Sequence, residues 1–363
     1  MPRRSAPDRW LCVIVGLLVC SGLFMVASAS HYLAMSLGQT PLHYLFRHMV
    51  YLAIGAVALV AAARIPYARL DDQRIVATLV IVTLVALVAV LAMPAAGGAR
   101  RWFPLGIASV QPSEIAKLVV ILFMAHLLSR KEQLVNDRRA VLAPCLGLAC
   151  VMSGLIAIEP DLGSALMIAT LVAVMLFVAG LRWATVGAVA GLGAVAIVVA
   201  VLSRPYRMER IRTFLNPEAD LQGSGFQLWQ SLIAVGNGGA IGVGLGQGQQ
   251  KAFYLPAAHT DFIFSVVGEE LGLAGTSLLL SGFVILFWRG MRAARRAPDR
   301  FGFYLALGVT TLLSLQALIH MAVCLGLFPT KGLPLPFISY GGSSLVASMA
   351  AAGLLLNVSQ HSS

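Results

Sequence analysis

Charge is scarce in this chain. Only 11% of its 363 residues are Asp, Glu, Lys or Arg, while 59% are hydrophobic and the mean hydropathy is +0.85, a balance that excludes a soluble globular domain of this size. Acids are the rarer sign, 15 against 26 Lys and Arg. Cysteine is sparse as well. Cys12, Cys20, Cys145, Cys150 and Cys324 lie within apolar runs and form no CxxC pair, which excludes a zinc ribbon or dithiol centre and leaves them as small packing residues. The seven histidines show no HExxH spacing, so no zincin-type metal site is written here. Residues 236–248 (GNGGAIGVGLGQG) offer no register of GxGxxG, and no GxxxxGK[ST] occurs at Lys251, which excludes the two common nucleotide loops.

What fills the chain instead is apolar runs of membrane-spanning length. They fall at 10–29, 44–63, 75–93, 113–128, 141–158, 162–179, 183–202, 262–288, 301–325 and 337–358. The expectation is an all-α polytopic membrane protein of about ten helices, one membrane domain over 1–363, with a long extracytoplasmic segment at 203–261. The polar break at 159–163 reads either as a short loop between two spans or as the middle of a re-entrant pair. The first run has no convincing cleavage site and reads as an uncleaved signal-anchor. With the amino terminus inside, Arg3, Arg4, Arg9, Arg64, Arg69, Arg74, Arg130, Lys131, Arg138, Arg139, Arg182, Arg289, Arg292, Arg295, Arg296 and Arg300 all fall on the cytoplasmic side, as the positive-inside rule requires. An even span count returns the carboxyl terminus to that side.

Ten cations remain, and this topology puts them outside: Arg47, Arg100, Arg101, Lys117, Arg204, Arg207, Arg210, Arg212, Lys251 and Lys331. An anionic ligand on the outer face would explain them; solvated loop charge is the plainer account. The segment before the eighth run is too long for a simple connection. Within it, 226–235 (FQLWQSLIAV) has the pattern of a short interfacial or re-entrant helix anchored by Trp229, and the glycines of 236–248 suit close backbone approach.

Four polar constellations map to that face. In 97–117 (GGARRWFPLGIASVQPSEIAK), Ser113 is placed to cap the fourth span, and Glu114 and Lys117 share a helix face as a local ion pair or as ligand contacts beside Arg100 and Arg101. In 159–163 (EPDLG), Asp161 is either a helix cap or a functional acid. In 254–271 (YLPAAHTDFIFSVVGEEL), Asp261 stands at the mouth of a span beside His259, with Glu269 and Glu270 two turns further in. Ordinary capping and catalytic or ion-binding duty are equally compatible with Asp261, since an ionisable group there is costly unless paired or used. In 329–344 (PTKGLPLPFISYGGSS), Lys331 is the lone charge in a rigid, hydroxyl-rich lip.

The segments GARRW, QPSEIAK, EPDLG, RTFLNP, GFQLWQSLIAVGNGG, YLPAAHTDFIFSVVGEELG and PTKGLPLPFISYGGSS, taken in order, resemble the SEDS (shape, elongation, division and sporulation) family from the first span to the last. PTKG and QKAFYLP are more similar to its division branch than to its elongation branch. The resemblance implies a peptidoglycan glycosyltransferase that polymerises lipid II on the outer face of the cytoplasmic (inner) membrane at the septum. Its implied partners are a class B penicillin-binding protein, other divisome membrane proteins and membrane lipid, with no nucleic acid. It makes Asp261 the catalytic aspartate and matches Lys117 and Glu114 to the family's ion pair, Arg101 to its GARRW arginine, Asp161 to its EPDLG acid and Lys331 to its PTKG lysine. His259 and Ser339 complete the expected substrate-binding set. No cofactor is fixed; a divalent cation, Mg or Mn, stays open. The chain departs from the family at Ala257, usually a glutamate, whose loss either weakens activity or metal binding or is made up by another acid such as Glu209, and at His320, often an asparagine. A lipid II flippase and a non-catalytic divisome scaffold are the competing functions. One-sided polar groups and cytoplasmic charge confined to basic loops disfavour the flippase.

Overall fold

The computed structural model describes residues 6–95, 99–106, 108–216, 225–252, 254–330 and 332–361. Its helices are α1 (Arg9–Ser36), α2 (His43–Arg64), α3 (Gln73–Val90), α4 (Pro112–Lys131), α5 (Ala143–Ile158), α6 (Leu162–Val178), α7 (Trp183–Leu202), α8 (Pro205–Leu215), α9 (Phe226–Gly238), α10 (Ile263–Arg295), α11 (Arg300–Cys324) and α12 (Gly342–His361). Among the described residues nine helices are long and apolar enough to cross a membrane, and α6, at 17 residues, is a shorter apolar tenth. The expected spans are therefore present, and 159–163 is a break between two packed helices, α5 and α6. An antiparallel pair that the sequence reading missed, β1 (Phe103–Leu105) and β2 (Ala108–Val110), precedes α4.

The most buried spans, α4, α11 and α12, form the centre, while no residue of α7 is buried. Apolar surface cannot drive helices together in lipid, so close packing of small residues must do it. Gly55 of α2 lies against the Met349 side chain of α12, and a Cβ at Gly353 would collide with the carbonyl oxygen of Leu59. At the end of the bundle that holds the start of α1 and the end of α12, Asn357 Nδ2 donates to the carbonyl of Ala62 at 2.7 Å, and Tyr67 Oη donates to Asp299 at 2.6 Å.

The described parts of the long segment between α7 and α10 are packed against the bundle. They hold the basic amphipathic α8, then α9, which packs on α10 and α11 with Trp229 half-buried. The glycine run then lies along a break in α10, where Gly272 has φ +63°. A broken span leaves backbone groups that must be satisfied by protein. Val243 and Gly244 donate to the carbonyls of Glu269 and Glu270 at 3.0 Å each, and Leu273 and Ala274 donate to those of Gly239 and Ala240 at 2.9 and 3.0 Å. Side chains at Gly238 or Gly242 would collide with the carbonyls of Gly268 and Glu270, which is why the run is glycine-rich.

The two glutamates of α10 belong to this junction. Glu269 Oε1 accepts from the backbone N–H of Gln249 at 2.8 Å and of Gln250 at 3.2 Å. Glu270 pairs with Lys251 at 2.6 Å, Ser28 donates to the same oxygen at 2.6 Å, and Gly246 N–H donates to its other oxygen at 3.0 Å. Lys251, expected among the outer-face cations, is thus a buried structural ion.

Candidate functional site

At the other end of the bundle a cavity of about 230 Å³ opens between the α6 N-terminus, α7, α8 and the segment leading from α11. Its walls include Asp161, Arg207, Arg210, Phe328, Thr330 and Gly332. The Asp261 carboxylate lies beside Gly332, whose would-be Cβ stands 3.4 Å from Oδ2. Asp261 is held there by its backbone: its N–H donates to the Ala257 carbonyl at 3.1 Å, and Ala257 adopts φ +55° to make that turn. Two further ties fix the segment. Ser339 Oγ donates to the Thr260 carbonyl at 2.7 Å, and Tyr340 N–H donates to the carbonyl of His259 at 2.9 Å.

Capping does not explain Asp261. The N-cap position of α10 is Phe262, with no side-chain cap, and no described residue donates a hydrogen bond to the Asp261 carboxylate. Burial pushes its pKa from 3.8 up to about 6; Arg210 and Arg101 pull it down and Asp161 adds to the rise. A half-buried, unpartnered carboxylate poised near neutrality is what a general base requires.

Asp161, by contrast, does cap. Pro160 ends α5, and Asp161 Oδ1 accepts from Ser164 N–H at 3.0 Å to start α6. Its other oxygen accepts from Gln111 Nε2 at 3.2 Å, so one carboxylate caps a helix and borders the cavity. Arg101 stabilises this corner through backbone, donating to the carbonyls of Glu159 (2.7 Å) and Pro160. Glu159 is buried with neither oxygen hydrogen-bonded. Burial first, then the charge of Asp161, lifts its pKa to about 8 despite Arg101, so it is neutral at pH 7.

Ser113 does not cap α4 as expected. Gln111 occupies the cap without a side-chain bond, while Pro112 sits in the first turn, where its missing N–H costs nothing. Ser113 instead accepts from Gln111 Nε2 at 2.9 Å. One turn on, Lys117 and Glu114 form a buried pair at 2.8 Å, and Lys117 Nζ also donates to Gln316 at 2.9 Å. Gln316 Nε2 donates to the Pro334 carbonyl at 2.8 Å. Lys117 is thus a brace behind the 333–339 segment rather than part of the cavity wall. His320 joins that brace through the Leu333 carbonyl at 2.8 Å.

His259 packs in an aromatic cluster with Tyr44 and Tyr340, ring centroids 5.3 and 5.5 Å away. Burial lowers its pKa to about 4, which makes it a neutral wall at physiological pH. Lys331 lies outside the described residues. Glu209 is exposed on α8 and does not line the cavity. Sequence reasoning counted Arg207 and Arg210 only among the outer-face cations, with the run of four arginines at 204–212 as their signal, and gave no signal for Gln316. Among the described residues no cluster of three His, Cys, Asp or Glu is placed to hold a metal ion.

Fold and site together define a polytopic helical membrane protein with a carboxylate and arginines facing one cavity at a single end of the bundle. The chain belongs to the cell cycle protein family of FtsW, RodA and SpoVE, whose pattern matches residues 8–363. It is 40% identical over 364 residues to stage V sporulation protein E of Bacillus subtilis (strain 168), covering 99% of both chains. It is 43% identical to the probable peptidoglycan glycosyltransferase FtsW of Trichlorobacter lovleyi, covering 98% of this chain and 94% of that one. Among solved structures it is similar to a chain of a peptidoglycan synthase complex that coordinates polymerization and crosslinking, with TM-score 0.79 and 33% identity over 98% of each chain. Thermus thermophilus RodA is similar at TM-score 0.70 and 29% identity, again over 98% of each. The protein is an integral membrane protein.

Proposed function

We propose that this protein is a peptidoglycan glycosyltransferase of cell division that polymerises lipid II, with Asp261 as general base. The observation that carries the assignment is the unpartnered Asp261 carboxylate beside the arginine-walled cavity, its pKa lifted to about 6. Asp261 takes the proton from the acceptor sugar hydroxyl. The freed oxygen forms the new glycosidic bond at the donor's anomeric carbon as the bond to undecaprenyl diphosphate breaks, with inversion. A carboxylate in reach supplies about 10²- to 10⁴-fold.

The leaving diphosphate gains charge, and fixed cations stabilise it. Arg207 and Arg210 stand in the cavity wall, and Lys331 and Arg101 join them on the strength of their motifs. Asp161 and Ser339 position the walls, and the pair of Glu114 and Lys117 braces the lip. His259 gives the acceptor an uncharged surface. Supply also favours a lipid-linked donor: the chain has no nucleotide motif and the site faces outward by the distribution of arginines, so the sugar arrives already activated on a lipid pyrophosphate.

The distribution of basic loops supports a cytoplasmic location for both termini and an outer-face location for Asp261. The likeness to a chain of a peptidoglycan synthase complex supports a class B penicillin-binding protein as partner, and the FtsW relatives support the septum as its place. The test is polymerisation of purified lipid II in detergent with the partner present, where there is no membrane to transport across. Wild type makes glycan and Asp261→Asn makes none; glycan of normal length from the variant refutes the assignment, and no glycan from wild type favours transport or a scaffold.

A further inference from the structure

A second cavity, about 330 Å³, lies at the opposite end of the bundle, among the start of α1 and the ends of α10 and α12. Its lining includes Asp8, Arg9, Trp10, Arg289, Arg292, Arg296 and Ser359. The glycosyl transfer proposed above uses none of these residues.

Among the described residues four arginines and one acid line this cavity, and the acid is already committed. Asp8 caps α1 through the N–H groups of Trp10 and Leu11 and is paired with Arg289, whose Nε lies 2.9 Å from its Oδ2. That pair also ties α1 to α10 and gives the cavity a fixed wall. Among the described residues no hydrogen bond or ion pair engages the guanidinium groups of Arg9, Arg292 or Arg296. Arg9 and Arg296 are exposed and Arg292 is half-buried, so water screens part of their mutual repulsion and an anion among them would relieve the rest. Their planar forks match phosphate oxygens in geometry.

The location selects the source of the phosphate. Trp10 at the rim is 63% exposed and Trp288, beside Arg289, is 58% exposed, the amphipathic rings that mark the membrane interface. A basic cavity between helix ends at that level is the kind of site that takes an anionic lipid headgroup. A soluble phosphate would gain nothing from the exposed tryptophans.

We propose that the cavity lined by Arg9, Arg289, Arg292 and Arg296 binds the phosphodiester headgroup of an anionic membrane lipid. The lipid bridges the start of α1 to the end of α10, so it stabilises the bundle from the end opposite Asp261.

The test uses the full chain in detergent. Native mass spectrometry and the thermal unfolding midpoint are followed with short-chain phosphatidylglycerol, with phosphatidylcholine of the same chains, and with inorganic phosphate at equal ionic strength. Phosphatidylglycerol alone is expected to be retained and to raise the midpoint. R292Q/R296Q should weaken its binding by at least about tenfold and should not lower the lipid-free midpoint, because these arginines make no internal pair. R138Q/R139Q removes two exposed charges at the same end outside the cavity and should bind like wild type. Equal weakening in that control means diffuse surface charge and overturns the site. Equal binding of phosphatidylcholine overturns the need for an anion, and the same shift from inorganic phosphate alone overturns the lipid.

Discussion

Asp261→Asn separates use from structure with one substitution. Raising the carboxyl from 3.8 to about 6 means that the ionised form carries a penalty of about 3 kcal/mol in the folded state. Because the folded value is the higher one, the native state keeps a proton that the unfolded chain has already lost. This group's contribution to stability is therefore full below pH 3.8 and is lost as pH rises through 6. At pH 7.5 wild type bears the whole penalty. Asparagine is never charged, so the variant should be more stable there by up to about 3 kcal/mol, less whatever its own unpaired amide costs. Near pH 3.5 the advantage should vanish. Glycan synthesis should fall at the same time by at least about 10²-fold, and wild-type activity should rise with pH through about 6 as the base form fills. Unfolding midpoints in detergent across pH, together with polymer yield from lipid II, measure both effects. A variant less stable than wild type at pH 7.5 would mean that the carboxylate has a structural partner, and the general-base reading would fail with it.

Lys117→Ala leaves Glu114 buried beside an empty site and should cost about 3–5 kcal/mol, whereas Glu114→Leu with Lys117→Met removes both charges and should be milder in the same unfolding assay. Glu159→Gln should gain stability over wild type progressively from pH 4.5 to about 8 and plateau above; equal midpoints at pH 5 and pH 8.5 would refute a buried neutral acid. Gly242→Ala puts a Cβ against the Glu270 carbonyl at a backbone of φ +82° and should loosen the glycine segment from the α10 break, seen as faster hydrogen exchange at 243–244 and lower polymer yield. Asp161→Ala should cost about 0.5–2 kcal/mol for the lost cap, and Asp161→Asn should recover most of it.

Much of the site was legible because its chemistry is costly in lipid. Asp261, Asp161, Glu114 and Lys117 stand out in a chain that is 11% charged, and each proved to be positioned by a specific backbone or side-chain contact. Capping was harder to assign, since Ser113, Asp161 and Asp261 all had the right composition for it. Of these three only Asp161 does so, because Pro112 puts the α4 cap at Gln111 and α10 is capped at Phe262, one residue after Asp261. The glycine run showed that close approach was needed without showing to what. Its partner, the break at Gly272, lies 24 residues beyond Gly248 and meets it only through the folded bundle.

The sequence by itself determined the membrane class, the ten apolar runs and the distribution of arginines between their ends, because hydrocarbon solvent acts on each helix separately and tolerates few alternatives. It also marked Asp261 as an acid needing a reason. Only the tertiary structure decided what that reason was. Whether a carboxylate meets an N–H, a lysine or an open cavity depends on residues brought from Gly332, Arg210 and Ala257 at once, and burial and pairing set a pKa through such neighbours rather than through spacing along the chain. The same distinction holds for the cations: counting them placed Lys117 and Lys251 on a ligand-facing surface, and packing turned both into buried braces while bringing Arg207 and Arg210 to the cavity wall.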